Sequence, residues 1–471
     1  MITISSEDIN WSYFSKFLNL VSGLLILPLI LRLLTENEIG LNYLMLTVGA
    51  LITLIDFGFA PQFGRNVSYI YSGAQDLREE GVDISKTSFE VNYQLLATLI
   101  HTARYVYRIL GFIAIIFLLS FGTLYIYQVT DGFAKVEDSL LIWVIFSFSV
   151  FFNIYFSYYI SLLTGKGMIM ESNKANIYSK LFYVSASFLA LYGGFGLLGI
   201  TIVGLISPFI HRYFSQKFFF TEELREKINQ YKVSKNQVND LFSKIWFNSK
   251  KLGIVTLAAF AITKFSLFIA GFFLPLGVIA SYGLMMQITG IISGLATILF
   301  ITYQPKFSFY RVQEDHKSLI NLFSLTMFVF YFIFILGSLV FVLFGSSILE
   351  LIDSKILLPS LNILFIYLLV NLLETNHSLY ATLITTKNEV PFVKPALISG
   401  FFIILGSYIS LEYTSLGLLG LILVQGFCQL VYNNWKWPLY VCNEFNTNFF
   451  KVLILGITEV REKIYAKYKY R

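Results

Sequence analysis

The chain has 471 residues, 56% of them hydrophobic and 13% charged, with a mean hydropathy of +0.70. A soluble chain of this length needs more charge to cover its surface. Here the apolar residues also cluster in blocks long enough to cross a bilayer, which excludes a soluble globular class. The net charge of +6 does not point to nucleic acid, because the basic residues gather on one side of the spans.

Met1 to Trp11 includes Glu7 and Asp8 and has neither a basic n-region nor a small-residue cleavage site. The first apolar block is therefore expected to remain as a transmembrane helix. Blocks of helix-spanning length then recur about twelve times. In chain order they are Trp11–Leu34, Ile39–Ala60, Val106–Val129, Leu140–Leu163, Lys174–Leu191, Leu197–Phe214, Leu252–Leu274, Ile279–Thr302, Leu319–Phe344, Pro359–Leu383, Pro395–Leu411 and Leu416–Tyr440. The two cysteines, Cys428 and Cys442, have neither disulfide nor metal-site spacing.

An even number of spans puts both termini on one side. Arg65, Arg78, Lys86, Arg104 and Arg108 lie on that side, followed by Lys166, Lys174, the cluster from Arg212 to Lys251, Lys306, Arg311, Lys317, Lys387, Lys394 and the set from Lys436 to Arg471. The other side carries Arg32, Lys135 and Lys355. This asymmetry predicts cytoplasmic termini and a multi-pass protein of the cell (cytoplasmic) membrane. The basic side is expected to meet anionic lipid headgroups.

The longest connection, 216–251, is polar and amphipathic and follows the sixth span. It predicts a linker between an N-terminal half, 1–215, and a C-terminal half, 252–440, with a basic cytoplasmic tail over 441–471. A shift of 221 positions lays Ser161-Leu162-Leu163-Thr164-Gly165-Lys166 on Thr382-Leu383-Ile384-Thr385-Thr386-Lys387. The same shift lays Gly196-Leu197-Leu198-Gly199 on Gly417-Leu418-Leu419-Gly420. One offset across several helices marks an internal repeat. The expected fold class is an all-α polytopic membrane protein of two pseudo-symmetric six-helix bundles. Parallel repeats of this kind in transporters place the substrate between the halves.

Charge inside a membrane costs roughly 2.5–3.5 kcal/mol at a helix centre, so each case needs a reason. Lys264 lies near the middle of the seventh span and is read as facing a cavity. Lys16, in the first span, either faces a cavity too or snorkels to the edge. Lys180 and Arg212 are closer to the cytoplasmic edge, where snorkelling is expected. Arg32 at the outer end of the first span is an anchor or an exit-side contact. In the tenth span Asn371, Glu374, Ser378 and Thr382 share one helical face, and the repeat lays the last three on Asn153, Ser157 and Ser161. A polar stripe repeated in both halves suggests a hydrated cavity, with Asn153 and Asn371 as binding groups and Glu374 as a coupling group; interhelical hydrogen bonding is the alternative. His377 is read as packing. Asp56, near the end of the second span, either pairs with a cation or caps a helix, and is a second coupling candidate beside Glu374.

No phosphate-binding G-x-x-x-x-G-K-[ST] loop occurs. The four histidines have no ligand spacing, and no metal or cofactor is expected. Glu36-x-Glu38 is read as helix capping and loop solvation, leaving no positive case for an enzyme.

The opening of the chain is similar to Wzx-type O-antigen flippases of the multidrug/oligosaccharidyl-lipid/polysaccharide (MOP) exporter superfamily. The residues concerned are Leu27-Pro28-Leu29-Ile30, Leu33-Leu34-Thr35-Glu36-Asn37-Glu38-Ile39-Gly40-Leu41 and Asp56-Phe57-Gly58-Phe59-Ala60-Pro61-Gln62-Phe63-Gly64-Arg65-Asn66. The layout of spans and halves fits nearly the whole chain. The resemblance implies translocation of an undecaprenyl-pyrophosphate-linked oligosaccharide, such as an O-antigen unit of lipopolysaccharide, through a cationic cavity by alternating access. It also implies polysaccharide polymerase or assembly proteins as partners. On this view Lys16 and Lys264 would meet the pyrophosphate, with Arg32 a further substrate-binding candidate. A cation-coupled multidrug exporter of the same superfamily would instead want an acidic, apolar cavity. A membrane glycosyltransferase or polymerase would want longer outer loops.

Overall fold

The computed structural model describes residues 6–77, 90–387 and 391–469. Arg78, Lys86 and Arg471 of the predicted basic side lie outside the described residues. Among the described residues the chain is helical, with no strand. The helices are α1 Ser6–Leu33, α2 Glu36–Thr53, α3 Phe59–Tyr71, α4 Tyr93–Phe117, α5 Thr123–Val129, α6 Ser139–Phe156, α7 Tyr158–Lys166, α8 Ile169–Tyr192, α9 Gly196–Phe219 and α10 Glu222–Asn229. They continue as α11 Lys235–Thr263, α12 Phe265–Phe273, α13 Leu276–Val312, α14 His316–Leu351, α15 Leu361–Ile384, α16 Val393–Tyr413, α17 Gly417–Leu430, α18 Asn433–Glu444 and α19 Phe449–Lys469.

Each of the twelve predicted spans falls on helix. Seven helical segments are long and apolar enough to cross a membrane by themselves: Glu36–Asp56, Tyr93–Val129, Ser139–Lys166, Gly196–Phe219, Leu276–Gln304, His316–Leu351 and Val393–Tyr413. The other five coincide with α1, with the more polar α8 and α15, and with two interrupted pairs. Those pairs are α11–α12, broken at Lys264, and α17–α18, broken at Val431–Tyr432. A nineteenth helix, α19, occupies most of the segment expected as a tail.

The chain forms two compact units, Met1–Leu257 and Ala258–Arg471. In the first, α1 packs on α8, α8 on α9, α9 on α6, α6 on α4, and α3 on α7. The ends of these helices are fixed locally. Thr35 and Glu38 form a reciprocal capping box at the start of α2, which satisfies two of its orphan N–H groups. Glu38 Oε1 also accepts from the Leu197 N–H at 3.3 Å, tying in the start of α9. Glu38 is thus engaged in capping, as its position predicts. The α2–α3 break is made by Phe57 and Gly58, both left-handed at φ +45° and +75°.

The charged connection after α9 is ordered against the same unit. Thr221 caps α10, Lys227 donates to the Tyr93 hydroxyl at 3.4 Å, and Lys244 sits 3.6 Å from Asp76. Phe242 and Trp246 of α11 stack on Phe59. In the second unit α13 packs on α14, α14 on α19, α16 on α17, α15 on α18, and α12 on α16. Asn321 donates to Glu459 at 2.8 Å across the α14–α19 contact.

The repeat has a backbone counterpart. Gly196 and Gly417, superposed by the shift, each start a helix with φ +52°, a conformation that glycine adopts without steric cost.

Candidate functional site

Within the first unit, α2, α6, α8 and α9 surround a cavity of about 570 Å³. Its polar wall includes Asn42, Asn153, Asn176, Lys180, Ser207 and His211. The helices are held around it by hydroxyl and amide bonds to neighbouring backbone and side chains. Ser149 donates to the Gly204 carbonyl at 2.8 Å and Ser179 to the Ser207 carbonyl at 2.9 Å. Asn176 donates to Ser15 at 3.1 Å. Small residues let these backbones approach, which is how membrane helices pack without a hydrophobic drive. Asn153 spends one donor on its own helix, bonding the Ser149 carbonyl at 3.1 Å. Its amide is otherwise exposed. Lys180, read as snorkelling, lines this cavity half-buried, with its ammonium 5.9 Å from the Tyr183 ring.

In the equivalent stripe of the second unit Ser378 is exposed, while Asn371, Glu374 and Thr382 are partly buried. Glu374 is 17% exposed. Gln429 Nε2 donates to its Oε1 at 3.3 Å, and His377 Nε2 stands 3.8 Å away. His377 Nδ1 pairs with Asn434 Oδ1 at 2.8 Å, so this residue joins a polar network as well as packing. Asn433 is the hub. Its Nδ2 donates to Gln429 Oε1 at 2.7 Å and to Ser399 Oγ at 2.9 Å. Its Oδ1 accepts from Trp437 Nε1 at 3.1 Å. Glu374 Oε2 has no hydrogen-bond partner. A buried carboxylate oxygen without a donor is costly when charged.

The remaining predicted residues are dispersed. Among the described residues, Asn153 is the predicted site residue that lines the first-unit cavity. Asn371 lies on α15 near Glu374 and donates to the Tyr367 carbonyl at 3.1 Å. Lys264 is exposed and sits at the break between α11 and α12, with φ −127°. Its N–H still bonds the Phe260 carbonyl, while its own carbonyl accepts from Leu267 three residues on. Arg32 is exposed in the last turn of α1. Lys16 is on α1, and its side chain lies outside the described residues. Asp56 accepts from the Tyr107 hydroxyl at 2.6 Å and from the Ala60 N–H at 3.2 Å, the geometry of a helix-start cap for α3.

Sequence reasoning gave Lys180 a snorkelling position and did not place His211, Gln429, Asn433 or Asn434 in either cluster. For the α17 side a signal existed: Gln425, Gln429 and Asn433 recur every fourth residue and are all buried. Among the described residues no group of three or more His, Cys, Asp or Glu side chains converges as a metal site.

No family model matches the chain, and no curated protein sequence matches it. Solved structures do. An inward-facing multidrug resistance MATE family transporter of the MOP superfamily aligns with a TM-score of 0.62 at 13% identity, covering 92% of this chain and 95% of that one. The lipid II flippase MurJ in an inward closed conformation aligns with a TM-score of 0.63 at 14% identity, covering 97% and 91%. At such identities the likeness is one of fold. The chain is a multi-pass membrane protein, helical over its described residues, and its fold is similar to that of these MATE and MurJ transporters.

Proposed function

We propose that the chain is a flippase that carries an undecaprenyl-pyrophosphate-linked oligosaccharide, a repeat unit of a surface polysaccharide, from the cytoplasmic to the outer leaflet by alternating access. The observation that carries this reading is the chemistry of the first-unit cavity. Amides and hydroxyls from four helices supply paired donors and acceptors of the kind sugar hydroxyls use, and Lys180 adds a cation suited to phosphate. The fold shared with a lipid II flippase supports it. Lys16, Lys264 and Arg32 are proposed as further anion contacts on the route, and Asn371 as a sugar contact. Asp56 is retained as a weaker coupling candidate, since its observed bonds are those of a cap.

With no nucleotide-binding loop, a gradient is proposed as the driver. Carrying two negative charges outward across an inside-negative potential is favourable by about 4.6 kcal/mol per 100 mV. Glu374 is proposed to add coupling to protons or sodium.

The buried carboxylate and the likeness to a MATE transporter favour one second reading, a cation-coupled exporter of cationic drugs. Reconstitution separates the two. Proteoliposomes carrying a fluorescent lipid-linked oligosaccharide should expose it to an external glycan-modifying enzyme in a protein-dependent manner. No exposure, together with drug efflux from the same vesicles, would overturn the flippase reading.

A further inference from the structure

Helices α16 and α17 of the second unit pack antiparallel with close backbone approach. A Cβ built on Gly406 would lie 2.8 Å from Val424 Cγ1, and one built on Gly420 would lie 2.1 Å from Ser410 Oγ. Between the helices runs a groove of about 890 Å³, whose walls include Ile398, Phe402, Ile409, Leu423, Phe427 and Val431. Six such side chains, 42% to 68% exposed, are ordinary on a lipid-facing surface. A concave groove of this size is less so.

The two ends of the groove differ. The wall on α16 runs from Pro395 to Ile409, about 21 Å at 1.5 Å per residue. At the Pro395 end the lining includes Tyr432. The register set by the Gly406–Val424 and Gly420–Ser410 approaches brings Lys394, one residue before Pro395, to the same end as Lys436. Lys394 is exposed and Lys436 half-buried, and Trp435 beside it is 48% exposed. Cations with Tyr and Trp at one end of an apolar run are the pattern of a headgroup boundary. About 21 Å is somewhat more than the roughly 15 Å hydrocarbon depth of one leaflet, half of a 30 Å core. A single-leaflet chain therefore fits along the groove.

We propose that this groove seats a hydrocarbon chain of an anionic glycerophospholipid, with its phosphate held at Lys394 and Lys436. A second copy of the chain is a poorer occupant: an axis along the membrane normal would set its Lys394 and Lys436 level with these, like charge against like. The site touches the interior of the unit. Ser399 lines the groove and accepts from Asn433, whose amide leads through Gln429 to Glu374. The bound chain therefore braces the wall of that network, and a lipid that binds the folded form stabilises it in proportion to occupancy.

The test uses the full chain reconstituted in phosphatidylcholine vesicles carrying a phosphatidylglycerol probe with a photoreactive acyl chain, or the matching phosphatidylcholine probe. The anionic probe is expected to label peptides of α16 and α17, and Lys394→Gln with Lys436→Gln should lower that labelling about tenfold. The melting temperature should rise when phosphatidylglycerol is added to the wild type and rise less in the double variant, a comparison made within each protein and so independent of their absolute stabilities. Equal labelling by the two probes would overturn the proposal. So would labelling unchanged by the substitutions, or crosslinking of two copies through α16 and α17 in place of lipid.

Discussion

Gln429 on α17 donates to Glu374 on α15 at 3.3 Å, while the other carboxylate oxygen of Glu374 has no partner. One oxygen is held by Gln429 and the other has no donor. Glu374→Gln preserves the shape and the fixed contact but removes titration. If Glu374 couples transport to a gradient, this variant should fold normally and lose about tenfold of the gradient-driven rate, roughly 1.4 kcal/mol of barrier. The measurement is transport in proteoliposomes with and without an imposed pH or sodium gradient. A variant that still responds to each gradient like the wild type would remove Glu374 from the mechanism.

Asn433 makes three side-chain bonds, to Gln429, Ser399 and Trp437, and is buried. Asn433→Ala leaves the Trp437 indole N–H and one side of Gln429 unpaired. Interhelical hydrogen bonds within membranes are worth about 1–2 kcal/mol at most, so the expected loss is of that size. Thermal melting followed by tryptophan fluorescence checks it, with Asn434→Ala in parallel to isolate the His377 contact.

The helices were legible in the sequence because a membrane span needs an apolar run, and such runs stand out in a chain with 13% charge. The repeat was legible because Gly196 and Gly417 must keep a left-handed backbone. What a helix faces was much less so. Lys180 reads as a snorkelling residue on α8 in isolation, and nothing in its own segment indicates that His211 and Ser207 of α9 stand across a cavity from it. His377 follows Glu374 by three residues, a spacing that puts two side chains side by side on a helix; its partner Asn434 comes from a segment 57 residues away. The α19 helix was hidden by composition: its charged second half reads as a tail, and its apolar first half is too short to span a membrane.

Gly165 begins the loss of space between α7 and α3. A Cβ there would stand 2.3 Å from the Gly64 carbonyl oxygen and 2.6 Å from Val67 Cβ, and backbone cannot step aside as a flexible side chain can. Gly165→Ala should therefore destabilise by about 1–3 kcal/mol, the usual cost of overpacking. Gly290 provides the control, since a Cβ there meets nothing within 4 Å. Gly290→Ala should be neutral or gain up to about 1 kcal/mol of helix propensity. Melting temperatures in one detergent compare the two. Equal effects would mean that the α3–α7 contact is looser than these distances state.

Lys180 lines the first-unit cavity, and on the flippase reading it is a cation offered to an anionic headgroup, so its replacement tests substrate charge directly. Lys180→Ala should weaken binding of the lipid-linked oligosaccharide about tenfold or more, in line with the roughly 1.5–3 kcal/mol of a charge-assisted hydrogen bond. Lys180→Arg should retain most activity, because guanidinium also binds phosphate. Driving force and binding separate cleanly here. An outward step of two negative charges gains about 4.6 kcal/mol per 100 mV, and that gain belongs to the substrate, not to Lys180. Lys180→Ala should therefore raise KM while leaving the acceleration by an inside-negative potential in place. Dissipating the potential should slow wild type and variant alike. If Lys180→Ala instead left KM unchanged and speeded movement of cationic dyes, the cavity would be selecting positive cargo, and the exporter reading would replace the flippase one.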